Sequence, residues 1–163
     1  MKRFLSAMTL GVLVLSGGLQ ATAATNHLTI DAVSFNYISG TPDYTESVGL
    51  VAGGSSGADG FANVALPQGA VVSQFKVCGR DDANDANFVG KLWRKNTNPV
   101  NSAFTPPQLM ATVASSLADG SDAMQCLKTT AITAATIDDT KWTYFVELQP
   151  GSFVEVISVT INY

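Results

Sequence analysis

Residues Gly53-Gly54-Ser55-Ser56-Gly57 fit G-x-S-x-G, the pattern that in some hydrolases carries a nucleophilic serine on a sharp strand-to-helix turn. Ser55 lacks what that chemistry needs. The one histidine, His27, precedes it, whereas the base follows the serine in such enzymes. A hydroxyl without a base stays a weak nucleophile. Gly60 and Pro67 leave no room for a helix after the turn, so a surface loop is expected and no catalytic residue is assigned. No Gly-Lys-Ser/Thr follows the glycines, so the stretch is not a phosphate loop either. His27 alone cannot hold zinc, which takes three or four ligands.

Carboxylates gather in Arg80-Asp81-Asp82-Ala83-Asn84-Asp85-Ala86-Asn87. Asp81, Asp82, Asp85 and Asn87 offer the hard oxygen ligands calcium takes. The EF-hand spacing fails: counted from Asp81, the third, sixth and twelfth positions are Ala83, Ala86 and Leu92. What remains is an irregular calcium site or a strand connection built from Asx turns. Asp138-Asp139 reads as a turn before Trp142. Glu147 and Glu155 can be imagined as a glycosidase pair, but both alternate with apolar residues and read as a solvated face.

Two aromatic residues are candidates for ligand binding. Trp93 lies between Leu92 and Arg94-Lys95, and Phe145 falls out of phase with the Trp142 face of its own segment. On an exposed sheet face such rings form a platform for sugars; in the core they supply buried area. Cys78 and Cys126 are the two cysteines. In an oxidising compartment they are expected to pair, as a staple on the outer face of a sheet. Neither belongs to a C-x-x-C redox motif.

The elements that carry these residues show period-2 alternation far more than period 3.6. Strand-like runs cover 28–38, 61–67, 70–80, 88–95, 109–117, 125–133, 141–149 and 153–163, rich in Val, Ile, Thr, Phe and Tyr. Inner faces are expected at Val71, Phe75 and Val77; at Trp142, Tyr144, Val146 and Leu148; and at Ile157, Val159 and Ile161. In the first run the phase slips between Leu28/Ile30 and Val33/Phe35/Tyr37, which predicts a β-bulge near Asp31-Ala32. About eight strands joined by Gly-, Asp- and Pro-rich turns read as an all-β protein, an antiparallel β-sandwich of jelly-roll type. An eight-stranded outer-membrane barrel is the competing architecture, but 61–67 and 125–133 lack the length and aromatic girdles of lipid-facing strands.

The N-terminus sets the compartment. Lys2-Arg3, an apolar run from Phe4 to Leu19 and Ala21-Thr22-Ala23 read as a signal peptide over 1–23, followed by one domain over 24–163. The apolar run is short for a membrane span, and no cysteine near the cleavage site offers a lipid anchor. Removing Lys2 and Arg3 leaves 7 of the 9 basic residues against 13 acidic ones, about −6. That sign argues against nucleic acid and against docking on anionic membranes.

The order of several segments is similar to a recurring, mostly uncharacterised group of secreted bacterial β-sandwich proteins. These are Val64-Ala65-Leu66-Pro67-Gln68-Gly69-Ala70, the strand ending Gly79-Arg80-Asp81-Asp82, Trp93-Arg94-Lys95, and Trp142-Thr143-Tyr144-Phe145. The resemblance spans roughly 60–163 and implies the fold and the compartment, with no catalytic residue; Cys78 and Cys126 fall outside its pattern. The expectation is an exported, non-catalytic protein without a required cofactor, secreted or periplasmic, that binds a protein partner or assembles with itself. The alternatives are a carbohydrate-binding or adhesion module, with or without calcium, and a filament subunit joined by strand addition.

Overall fold

In the computed structural model, residues 26–39, 43–45, 50–52, 59–81, 87–97, 105–116, 121–151 and 154–163 are described. Their alternation of apolar and polar side chains gives each strand one face to bury, and two antiparallel sheets bury these faces against each other. Among the described residues the strands are β1 (His27–Asp31), β2 (Asn36–Ser39), β3 (Asp43–Thr45), β4 (Leu50–Ala52), β5 (Asp59–Val64), β6 (Gln74–Asp81), β7 (Val89–Asn96), β8 (Gln108–Ala114), β9 (Ser121–Thr129), β10 (Trp142–Gln149) and β11 (Glu155–Asn162). No helix among the described residues is long and apolar enough to cross a membrane.

One sheet runs β3-β4-β11-β6-β9, with β1 lying beside β4 along the same edge of β11. The other runs β2-β5-β10-β7-β8. The architecture is the antiparallel sandwich expected from the sequence, and among the described residues the strands form two separate sheets, each with its own edges. Each of the eight predicted runs contains a strand. The short β3 and β4 are additions, because three residues are too few to show a period.

The phase slip in the first run has a different cause from the predicted bulge. A single 3-10 turn, Ala32–Ser34, separates β1 from β2, and the two strands belong to different sheets. The slip marks where the chain crosses the sandwich. Ala32 and Phe35 are buried at this crossing, while Val33 is exposed. Two further expectations change. Val71 is 54% exposed and Val72 takes the core position, since β6 begins only at Gln74. Ile157 is half-buried because the β11–β6 register shifts between Val156 and Ser158. That shift puts Val156, Val159 and Ile161 in the core.

Phe75 and Val77 of β6 and Val156, Val159 and Ile161 of β11 meet Leu92 of β7 and Val146 and Leu148 of β10 across the layer. Each of these large side chains stabilises the fold by roughly 1.5–3 kcal/mol relative to exposure. The two sheets approach closely at Gly90, where an added Cβ would lie 2.5 Å from Val77 Cγ2. The Pro67-Gln68-Gly69-Ala70 segment is a tight turn: the Ala70 N–H donates to the Pro67 carbonyl at 3.0 Å, and Gly69 sits at φ 77°. A turn with positive φ at its third position calls for glycine there.

Cys78 and Cys126 are directly opposite one another on β6 and β9, and they form a disulfide with Cα atoms 4.1 Å apart. Phe75 and Val77 face the core from the same strand, so the bridge lies on the outer face, as expected from the alternation.

Candidate functional site

The outer face of the five-stranded sheet carries an aromatic cluster. Phe145 of β10 pairs with Trp93 of β7 on one side and with Asn63 of β5 on the other. The Trp93 and Phe145 rings are nearly parallel, 13° apart, with centroids separated by 6.3 Å. Phe61 of β5 adds a third ring, 6.2 Å from Phe145 and tilted by 44°. All three are half-buried and stand outside the core, because their strand neighbours Leu92, Tyr144, Val146 and Ala62 take the inward positions.

Beside the rings runs a polar row. Glu147 pairs with Phe61 on one side and Lys91 on the other. The Trp93 Nε1–H donates to Glu147 Oε2 at 2.7 Å. Lys91 Nζ donates to Glu147 Oε1 at 3.2 Å and to Gln149 Oε1 at 3.0 Å, and Gln149 Nε2 donates to Glu147 Oε1 at 2.6 Å. Each partner fixes another, so the indole is held in one orientation. Glu147 is thus an anchor for Trp93. Glu155, the other glutamate of the imagined pair, lies on the other sheet and pairs with Arg80 at 3.0 Å. The structure does not bring the two carboxylates together.

A cleft of about 450 Å³ opens at the end of this sheet, lined among others by Asn63, Leu66, Asp139, Trp142, Thr143 and Tyr144. Asn63 flanks Phe145 across the strands, and Thr143 precedes it by two residues on the same face, so the cleft begins where the aromatic row ends. Arg94 lies over the Trp142 ring, its Cζ 4.2 Å from the centroid. Its Nε and Nη2 donate to Gln108 Oε1 at 3.0 and 2.7 Å. The guanidinium is therefore held in place before it stacks.

The turn bordering the cleft is tied down from several sides. The Asp138 N–H donates to the Tyr144 hydroxyl at 2.8 Å, and the Asp139 N–H donates to Gln68 Oε1 at 2.8 Å. The Thr140 hydroxyl donates to Asp138 Oδ1 at 2.6 Å, and Lys141 Nζ lies 3.4 Å from Asp138 Oδ2. The Thr140 bond and then the Lys141 ammonium hold the Asp138 carboxyl below its ordinary value of 3.8.

Of the residues singled out in the sequence, Trp93 and Phe145 come together on one face. Asp82, Asp85 and Ser55 lie outside the described residues, as does the side chain of Asp81. Asn87 is described: its carbonyl accepts from the Gly151 N–H at 3.0 Å, and its buried Oδ1 has no hydrogen-bond partner among the described residues. His27 is exposed on β1. Among the described residues no three His, Cys, Asp or Glu side chains gather as a metal would require. Sequence reasoning missed Phe61, Asn63 and the Arg94–Trp142 pair. For Phe61 a signal was present, since it alternates with Ala62 and Val64. The cleft had none, because it joins the end of β5 to a turn some 75 residues later.

No protein-family model and no curated protein matches the chain. Solved structures do resemble it. The C-terminal carbohydrate-binding module, a CBM6, of a marine laminarinase from Zobellia galactanivorans superposes with a TM-score of 0.51 at 11% identity, over 85% of this chain and 100% of that one. A carbohydrate-binding module of lichenase 5A from Cellvibrio mixtus, solved with cellotriose, gives 0.51 at 14% identity, over 83% and 96%. At such identities the likeness is one of fold, a jelly-roll sandwich.

Proposed function

We propose that this chain is a non-catalytic carbohydrate-binding module acting outside the cytoplasm, and that the outer face of β5, β10 and β7 is its binding surface. The observation that carries the reading is the near-parallel Trp93–Phe145 pair on a solvent-facing sheet, with Trp93 locked by Glu147. A pyranose turns one face of axial C–H groups outward. Burying that face on an aromatic ring releases water from two apolar surfaces. Rings fixed in advance lose little freedom on binding. The jelly-roll likeness to glycan-binding modules and the disulfide, which suits an oxidising compartment, agree with the reading.

Strand-addition assembly has less behind it. β1 is already paired with β11 within the same chain, and β11 is flanked on both sides. The segment that a donor strand would need is in use.

Affinity electrophoresis in gels containing soluble β-glucan or xylan tests the proposal. Retardation of the native protein, lost in Trp93→Ala and Phe145→Ala, is the expected result. Unretarded migration in every gel, or retardation indifferent to both substitutions, refutes it.

A further inference from the structure

We infer that the binding surface does not end at Phe145: it continues over Asn63 into the cleft at Trp142, which forms a separate subsite for one further sugar unit of a neutral, linear β-linked oligosaccharide. The inference rests on the sheet-face reading above and adds the ligand's length and class. Continuity comes from register. Trp93, Phe145 and Asn63 stand side by side on β7, β10 and β5, so a chain laid across the strands meets them in turn. Neighbouring strands are about 4.8 Å apart, close to the advance of one sugar unit. Asn63 and Thr143 line the cleft and also border Phe145, so the two surfaces share a wall.

The cleft differs in chemistry from the row that leads to it. It joins an indole, a carboxylate, an amide and a hydroxyl (Trp142, Asp139, Asn63 and Thr143) over the apolar Leu66. That mixture of one stacking surface and a few convergent polar groups is what binding sites for small polar ligands use. Arg94 clamps the indole yet does not line the cleft, so the ring keeps a surface for a ligand while its position is fixed. The Asp139 side chain sits on a turn pinned by Gln68 and Tyr144. The Asp139 carboxylate at the cleft disfavours uronic acids there and favours neutral sugars, while the Glu147 charge beside the row is offset by Lys91 at 3.2 Å.

Calorimetric titration with cello- and laminari-oligosaccharides of increasing length decides it, using the native protein, Trp93→Ala, Asn63→Ala and Asp139→Ala. Asn63 and Asp139 are exposed, and thermal melts check that each variant is folded. The native protein is expected to gain affinity when the oligosaccharide grows long enough to enter the cleft. Asn63→Ala and Asp139→Ala are expected to lose roughly 5–20-fold for the longer ligands only, while Trp93→Ala weakens every length. If the two cleft variants bind long ligands like the native protein while Trp93→Ala is impaired, the cleft inference is overturned and the sheet-face reading stands. If the cleft variants weaken all lengths and Trp93→Ala none, the sheet face is not the site. Absence of binding by the native protein to either series overturns both.

Discussion

The Trp93 indole N–H meets Glu147 Oε2 at 2.7 Å across two paired strands, and this bond sets the aromatic face before any ligand arrives. Removing the ring should cost about 1–3 kcal/mol of glycan binding, the range seen where planar ligands stack on aromatic side chains. Trp93→Ala is thus expected to weaken binding by one to two orders of magnitude. Glu147→Ala leaves both rings but frees the indole, so a smaller loss is expected. Calorimetry on the pair would show Trp93→Ala as the larger effect; the reverse order would make Glu147 a direct ligand contact.

The Cys78–Cys126 bridge spans 48 residues and joins facing positions of β6 and β9. In the chain-entropy model a loop of this length stabilises the fold by about 4 kcal/mol. Cys78→Ser/Cys126→Ser, or reduction of the native protein, should lower the melting temperature by roughly 10–15 °C. Glycan affinity at 25 °C should be unchanged, because the bridge lies on the opposite sheet from Trp93 and Phe145. Scanning calorimetry with and without reductant gives the first result, and titration of the folded double variant gives the second.

The faces of Phe145 and Cys78 were legible in the sequence. Phe145 is out of phase with Tyr144 and Val146, and Cys78 with Phe75 and Val77; alternation alone assigns both to outer faces. What alternation cannot give is the partner of each strand. The slip at Asp31-Ala32 was visible, yet a local bulge and a crossing between sheets leave the same trace in a one-dimensional pattern. Only pairing β1 with β11 and β2 with β5 distinguishes them. Ile157 was misplaced for a related reason: a register shift inside β11 changes the phase without any glycine or proline to announce it. The cleft needed both pieces of information at once, the pairing of β5 with β10 and the turn at Asp138-Asp139.

Gly90 tests the closeness of the two sheets. A methyl group there would come 2.5 Å from Val77 Cγ2 and 3.6 Å from the Phe75 ring. Both neighbours are fully buried and have nowhere to go. Gly90→Ala is expected to destabilise the protein by about 1–3 kcal/mol through overpacking. Val77→Ala removes the obstructing methyl and leaves a cavity of its own. The double variant should therefore be more stable than the sum of the two single effects predicts. Denaturant unfolding of the four proteins measures this coupling; strict additivity would mean that the sheets part freely at Gly90.

Asp138 supplies the pH test. Its folded-state pKa lies below 3.8, held there first by the Thr140 hydroxyl and then by Lys141. The unfolded chain has the ordinary value, so the unfolded state takes up its proton first as pH falls. The stabilisation of the turn is therefore complete above about pH 4 and is lost as pH drops through the folded-state value. A carbon-detected NMR titration should place the Asp138 midpoint below that of an unstructured aspartate. Thr140→Ala and Lys141→Ala should each move it upward, since the hydroxyl bond is the largest single influence and the ammonium acts in the same direction. An unshifted midpoint in the native protein would show that the Thr140 bond does not persist in solution, and would remove one of the ties that hold the Asp139 side of the cleft in place.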